Sequence, residues 1–334
     1  MRRWIKLLVM VMIGAGTVTC GGRSADPEQV TIAVIPKGTT HLFWQSIHAG
    51  AIKASIELGV KIQWVGPERE DARQQQIALV NNMVVGQVDG IVLAPLDARA
   101  LRRPVRLAVS SDIPVVIIDS ELHESQDVYT SFVATDNHRG GQLAGENMGR
   151  LLKGRGKIIM LRYAEGSAST EKREAGFMEA IRAFPGIEVV SDEQYSGATT
   201  ASAQQASESL LLRFRDAQGN LVIDGIFCPN ESSTYGMLQA LKRQRQAGKV
   251  IFIGFDSSDA LLEGLRQGGI NGLVVQDPFN MGYLGVKTLV RHLRGEQVEK
   301  RIDTGVTYVA LEDLNQPEIM ALVKPDVDKW LNLK

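Results

Sequence analysis

Residues 89–95 read DGIVLAP, and residues 224–230 read DGIFCPN. A second pair follows each: PVVIIDS at 114–120 and VIFIGFDS at 250–257. Each is a short run of Val, Ile, Leu or Phe bounded by Gly, Pro or Asp. Such runs are too short for a helix and read as strands covered on both faces. Their reappearance in the same order marks a duplicated unit.

Working outward, further runs predict strands at 30–36, 60–65, 156–161, 187–194 and 270–276, beside those at 89–94, 114–119, 222–228 and 249–255. The segments between them have helical periods. Ile47, Ala51, Ala54 and Leu58 share one face and Gly59 closes it; Ile77, Val80 and Val84 do the same before Gly86. Strand–helix alternation of this kind builds a doubly wound parallel sheet. Because the series runs twice, the expected fold is α/β, with two similar parallel-sheet lobes and a ligand cleft between them.

The 334 residues are 44% hydrophobic and 22% charged, with a formal net charge of −1, which suits a globular chain of about two domains. That balance offers no basic footprint for nucleic acid. The first twenty residues, MRRWIKLLVMVMIGAGTVTC, place Arg2, Arg3 and Lys6 ahead of a short apolar stretch and a run of small residues. This is the pattern of an export signal over 1–19. Its end on Cys20 resembles a bacterial lipobox, although Thr17 and Thr19 stand where Leu and a smaller residue are usual. The expectation is cleavage, acylation of Cys20, a polar tether over 20–29, and a periplasmic or cell-surface protein held to the membrane by lipid. Loss of Arg2, Arg3 and Lys6 with the signal takes the formal charge from −1 to −4. Cys228 then has no partner, so no disulfide framework is expected.

In open α/β sheets ligands bind beyond the carboxyl ends of the strands. After the first strand stand Lys37, His41, Phe43 and Trp44, and after the fourth Asp119 and Ser120. The segment LRYAEGSASTEKREAG (161–176) offers Glu165, Ser169 and Glu171. Asn230 with Glu231, Phe255 with Asp256, and Gln276 with Asp277 end later strands. Aromatic faces with Asp, Asn and Gln tips suit a neutral polyhydroxylated ring, whose C–H faces stack and whose hydroxyls both donate and accept. Phe43 and Trp44 would form one wall and Phe255 the other. A single Asp at a strand end more often caps the next helix, so the weight rests on convergence. His41 and His48 are too sparse for a metal site, and no cofactor is expected.

The stretches FWQSIHAGA, IPVVIIDS, VATDNHRGGQLAGE, REAGFMEAI, DGIFCPNE, VIFIGFDSSDA and VVQDPFNMGYLGVKTL together resemble the periplasmic sugar-binding proteins of ABC importers, of the ribose-binding-like type I fold. The resemblance covers residues 30–311. It implies three crossovers, near Val133–Thr135, Gln276–Asp277 and Asp303. One lobe would comprise 30–133 plus 277–303, the other 134–276 plus 304–311, with 312–334 a C-terminal extension. It also implies ligand-binding roles for Lys37, His41, Phe43, Trp44, Asp119, Ser120, Glu171, Asn230, Phe255, Asp256 and Gln276. Ser120 and Glu171 stand where ribose binders carry arginines, which argues against ribose itself; Lys37 or Arg162 could supply a donor instead.

The function implied is capture of a monosaccharide or small polyol and its delivery to an ABC permease, without catalysis. The alternative is a sugar or autoinducer-2-like sensor that docks on a chemoreceptor or sensor kinase. A transcription regulator would need a basic helix-turn-helix ahead of residue 30. A nicotinamide enzyme would need a glycine-rich turn after the first strand, and IPKGTTHLFW lacks it.

Overall fold

The computed structural model describes residues 29–331. The expected signal over 1–19, Cys20 and the tether as far as Glu28 lie outside the described residues. Two six-stranded sheets each carry helices on both faces.

The first sheet uses β1 (Thr31–Ile35), β2 (Lys61–Trp64), β3 (Gly90–Leu93), β4 (Val115–Ile118), β5 (Ser131–Ala134) and a late strand, β11 (Arg301–Asp303). Their order is β11-β5-β4-β3-β1-β2, and every neighbouring pair is parallel. The second contains β6 (Arg155–Met160), β7 (Gly186–Ser191), β8 (Gly225–Phe227), β9 (Ile251–Phe255), β10 (Gly272–Gln276) and β12 (Val306–Val309). Its order, β12-β10-β9-β8-β6-β7, repeats the first, except that β12 runs antiparallel to β10. The chain passes between the sheets after β5, after β10 and between β11 and β12.

Side-chain alternation explains why the strands read as unbroken apolar runs. Ile32 and Val34 enter the core under α1 (Leu42–Leu58) and α9 (Pro278–Leu293), whereas Ala33 and Ile35 enter the core on the other face. With both faces covered, successive residues must all be apolar. The short strands β5, β11 and β12 were not among the expected strands, because β5 is four residues beside a crossover and β11 is largely polar and exposed.

Each lobe is built on one close helix crossing. α1 meets α9 at Gly50 and Gly282, where an added Cβ would lie 1.9 Å from Phe279 O and 2.0 Å from Ile47 O. α4 (Asn137–Leu151) meets α5 (Ala168–Ile181) at Gly141 and Gly176, with corresponding distances of 1.9 Å to Arg173 O and 2.0 Å to His138 O. The duplication therefore extends to reciprocal glycine contacts that let two backbones touch.

After β12 the chain forms a 3-10 turn (Leu311–Asn315), α10 (Pro317–Val323) and α11 (Asp328–Leu331). Val323 is fully buried in the second lobe's core, and its carbonyl accepts from Ser257 Oγ at 3.0 Å. α11 then lies on α1 of the first lobe, with the Trp330 ring 6.3 Å from that of Phe279. The C-terminal segment thus spans the two lobes. Among the described residues no helix is long and apolar enough to cross a membrane.

Gly141→Ala should lower stability by about 1–3 kcal/mol, because overpacking at a backbone contact forces the helices apart. In a thermal melt this is a fall of several degrees. An unchanged melting temperature would show that the crossing is not the constraint described.

Candidate functional site

The carboxyl ends of the two sheets face each other across a narrow, largely filled cleft. Lys37, His41, Phe43, Trp44, Glu70 and Asp119 line it from the first lobe. Tyr163, Ser167, Ser169, Thr170 and Arg173 line it from α5 and the loop before it, and Asn230, Glu231, Asp256 and Gln276 complete the second lobe's side.

The first lobe's wall follows from its strand ends. Lys37, after β1, holds Asp119, after β4, in an ion pair of 2.7 Å, and its ammonium also donates to Ser169 Oγ of the other lobe at 3.0 Å. Phe43 and Trp44 lie in the first turn of α1 and meet edge to face, with centroids 4.9 Å apart at 90°. Trp44 is 3% exposed, so these rings are core residues that also line the cavity. Trp44 Nε1 donates to Glu70 Oε1 at 2.8 Å.

The second lobe is organised around Arg173. This guanidinium is 2% exposed, stacks 4.0 Å over the Phe255 ring, and donates Nε to Asn137 Oδ1 at 2.7 Å and Nη1 to Pro229 O at 2.9 Å. Its nearest countercharge is Asp256, at 4.0 Å. Asp256 accepts from Gln276 Nε2 at 2.6 Å and from the Glu231 N–H at 3.0 Å. Burial pushes the Asp256 carboxyl up to about 6, although Arg173 and Gln276 oppose it. Burial alone would pull His41 down, but the carboxylates of Glu231, at 3.6 Å, and Glu70 outweigh it and carry the imidazole to about 9. His48, which stacks on Trp64, is held at about 4 by burial.

Asp119 and Asp256 occupy corresponding points of the duplication, and both adopt left-handed backbone, with φ of 60° and 68°. Asp is among the few side chains that tolerate this region, which recurs at functional sites. Arg173 Nη2, Glu231 Oε2 and Gln276 Oε1 are buried polar atoms with no hydrogen-bond partner among the described residues. Such atoms are costly unless something else satisfies them.

Three expected site residues fall outside the cavity. Phe255 is 0% exposed and lies behind Arg173, so it backs the guanidinium and forms no facing wall. Ser120 is buried at the lobe junction, where its hydroxyl accepts from the Ser169 N–H at 3.1 Å. Glu171 turns back to accept from the Gly166 N–H at 2.9 Å and lines a separate outer pocket with Arg73, Arg99 and His123. Asn230 lines the cavity, yet its oxygen is the N-cap of α7 (Glu231–Arg243) and accepts from the Ser233 N–H at 3.2 Å. Arg162 is paired with Glu174 at 2.7 Å and is not among the lining residues.

Glu171, expected at a position where ribose binders carry arginine, points away from the cleft, and the guanidinium that lines the cleft belongs to Arg173, two residues beyond it. Its register was a readable signal: it precedes Phe177 by four residues and Ile181 by eight, on the stripe of α5 that enters the core. Glu70, in the charged loop PEREDA, and Tyr163 carried no periodic signal. Ser169 and Glu231 stand at strand ends named from the sequence but were not carried into the expected ligand set.

Residues 32–297 match the family described as periplasmic binding protein domain. The chain belongs to that family. A solute-binding protein from Agrobacterium vitis, solved with bound D-fucose, is 37% identical, covers 88% of this chain and 99% of its own, and superposes with a TM-score of 0.83. A carbohydrate transporter solute-binding protein from Agrobacterium radiobacter, in complex with D-arabinose, is 34% identical over 89% of this chain and 100% of its own, also with a TM-score of 0.83. The ribose import binding protein of Haemophilus influenzae is 27% identical across 86% of this chain and 94% of its own.

Asp256 generates a prediction with a definite sign. Its folded value of about 6 lies above the ordinary 3.8, so its ionisation costs stability. That cost is absent below about pH 3.8 and complete above about pH 6. Asp256→Asn, which cannot ionise, should melt higher than the wild type at pH 7.5, and the gain should vanish near pH 4. A variant that melts lower at both pH values would refute the assignment.

Proposed function

We propose that this protein captures a neutral monosaccharide between its lobes and presents it, unchanged, to an ABC permease. The observation that carries this reading is the set of buried polar atoms on one wall that find no partner among the described residues, Arg173 Nη2, Glu231 Oε2 and Gln276 Oε1, opposite the Phe43–Trp44 pair. A sugar hydroxyl both donates and accepts, so one ring can satisfy a guanidinium N–H, a carboxylate and an amide oxygen together. The charges support a neutral guest. Lys37 pairs with Asp119, Arg173 faces Asp256, and the protonated His41 lies between Glu231 and Glu70, so among the described residues no cation of the cleft is left free for an anionic guest.

Binding and closure are one equilibrium: the guest bridges both half-sites, and only the closed arrangement brings them together. A micromolar complex needs about 8 kcal/mol, within reach of several charge-assisted hydrogen bonds and burial of one ring face. The sugars reported with the two Agrobacterium proteins, D-fucose and D-arabinose, make a pentose or deoxyhexose the first choice. The guanidinium of Arg173 returns ribose to the candidates from which its expected absence had removed it. The leader and Cys20 support export and a lipid anchor on the outer face of the membrane.

Calorimetry with D-fucose, D-arabinose, D-ribose, D-allose and D-tagatose should give at least one complex of micromolar affinity or tighter, abolished in Asp256→Ala. Silence across a wider panel of monosaccharides and polyols would overturn the sugar reading. Export in a bacterium fed labelled palmitate should label the wild type and leave Cys20→Ala unlabelled; equal labelling of both would place the anchor elsewhere.

A further inference from the structure

Both carboxylate oxygens of Glu70 are spoken for, one from each lobe. Oε1 accepts from the Trp44 indole N–H at 2.8 Å, within the first lobe. Oε2 accepts from the Tyr163 hydroxyl at 2.7 Å, across the cleft. The site is built for this side chain. Gly38 faces it so closely that an added Cβ would stand 3.0 Å from Glu70 Cγ and 3.6 Å from Trp44 Nε1. Tyr163 is held from behind: its N–H donates to Glu174 Oε1 at 3.2 Å, and its carbonyl accepts from the Gly197 N–H at 3.0 Å. Burial and the Glu70 charge push the Tyr163 phenol well above its ordinary value, so it remains the donor.

We infer that Glu70 is a positioning residue of the cleft, which fixes the plane of Trp44 and, through Tyr163, ties that ring to the closed arrangement of the lobes. A buried indole N–H needs an acceptor, and the acceptor it finds adds a directional constraint to the packing of the ring. Here the group that holds it is also the acceptor for the opposite lobe, so closure and ring orientation are set by one carboxylate. In an opened cleft the Trp44 bond persists, because both partners are in the first lobe, and the Tyr163 bond is lost. The inference rests on the sugar-binding reading for its consequence, although not for its geometry.

The test uses the full chain, labelled with ¹⁵N, and the Trp44 indole resonance identified by its absence in Trp44→Phe. Without sugar, Glu70→Ala should move that resonance and speed exchange of its proton by about tenfold or more. Glu70→Gln, which keeps an acceptor, should restore most of both, and Tyr163→Phe should change neither. With D-fucose or D-arabinose bound, Glu70→Ala and Tyr163→Phe should each raise the dissociation rate about tenfold, the scale of one charge-assisted hydrogen bond. The double variant should be little worse than Glu70→Ala alone. An indole resonance indifferent to Glu70→Ala overturns the inference whatever sugar binds, as do dissociation rates unchanged in both variants. Failure of every monosaccharide to bind the wild type, with an indole that still depends on Glu70, overturns the sugar reading and leaves the hold on Trp44 standing.

Discussion

A guanidinium keeps its proton at any ordinary pH, so a chain that buries one must build around it. In the second lobe that cation is Arg173. Phe255 gives its π face to the flat of the group, and Gly140 makes room for Phe255: a Cβ there would stand 2.9 Å from the ring. Asn137 and the Pro229 carbonyl take two of its donors, and Asp256, oriented by Gln276, stands as countercharge. Among the described residues none of these groups takes Nη2, and Arg173 lines the cavity. The cost of desolvation is thus met on all sides but one.

The same network joins the halves. Asn137 sits just past the first crossing, and its amide donates to the Asp119 carbonyl at 3.2 Å while its oxygen holds Arg173. Lys37 reaches from Asp119 to Ser169, and the Ala98 N–H donates to the Gly166 carbonyl at 2.9 Å. Displacement of one lobe therefore disturbs the ion pairs of the other. The C-terminal segment adds a link of a different kind, an apolar one, from Val323 in one core to Trp330 beside α1.

The architecture was legible because burial on both faces leaves an unbroken apolar strand, and because duplication shows every signal twice. What escaped was either too short to show a period, as with β5 and β11, or decided by tertiary register. Lys37, Asp119 and Asp256 stand directly beyond strand ends, where topology alone directs them to the cleft. Arg173 lies a full turn into a helix, and Glu171, two residues earlier, offered the more obvious acid-rich match while pointing outward. Phe255 failed for the opposite reason: as the last residue of β9 it belongs to the sheet's pleat, which turns it into the core. Glu70 lies in the charged run Glu68–Asp71, where nothing in one dimension separates a cleft residue from a solvated one.

The left-handed backbone at Asp119 and Asp256 has a consequence for how such a scaffold can diversify. A main chain with φ of 60° or 68° admits glycine, asparagine and aspartate most readily and strongly disfavours β-branched side chains on steric grounds. Two positions of the cleft are therefore poorly suited to β-branched side chains before any guest is considered. New preferences are written more freely at neighbours with ordinary torsions, around a pair of duplicated acids.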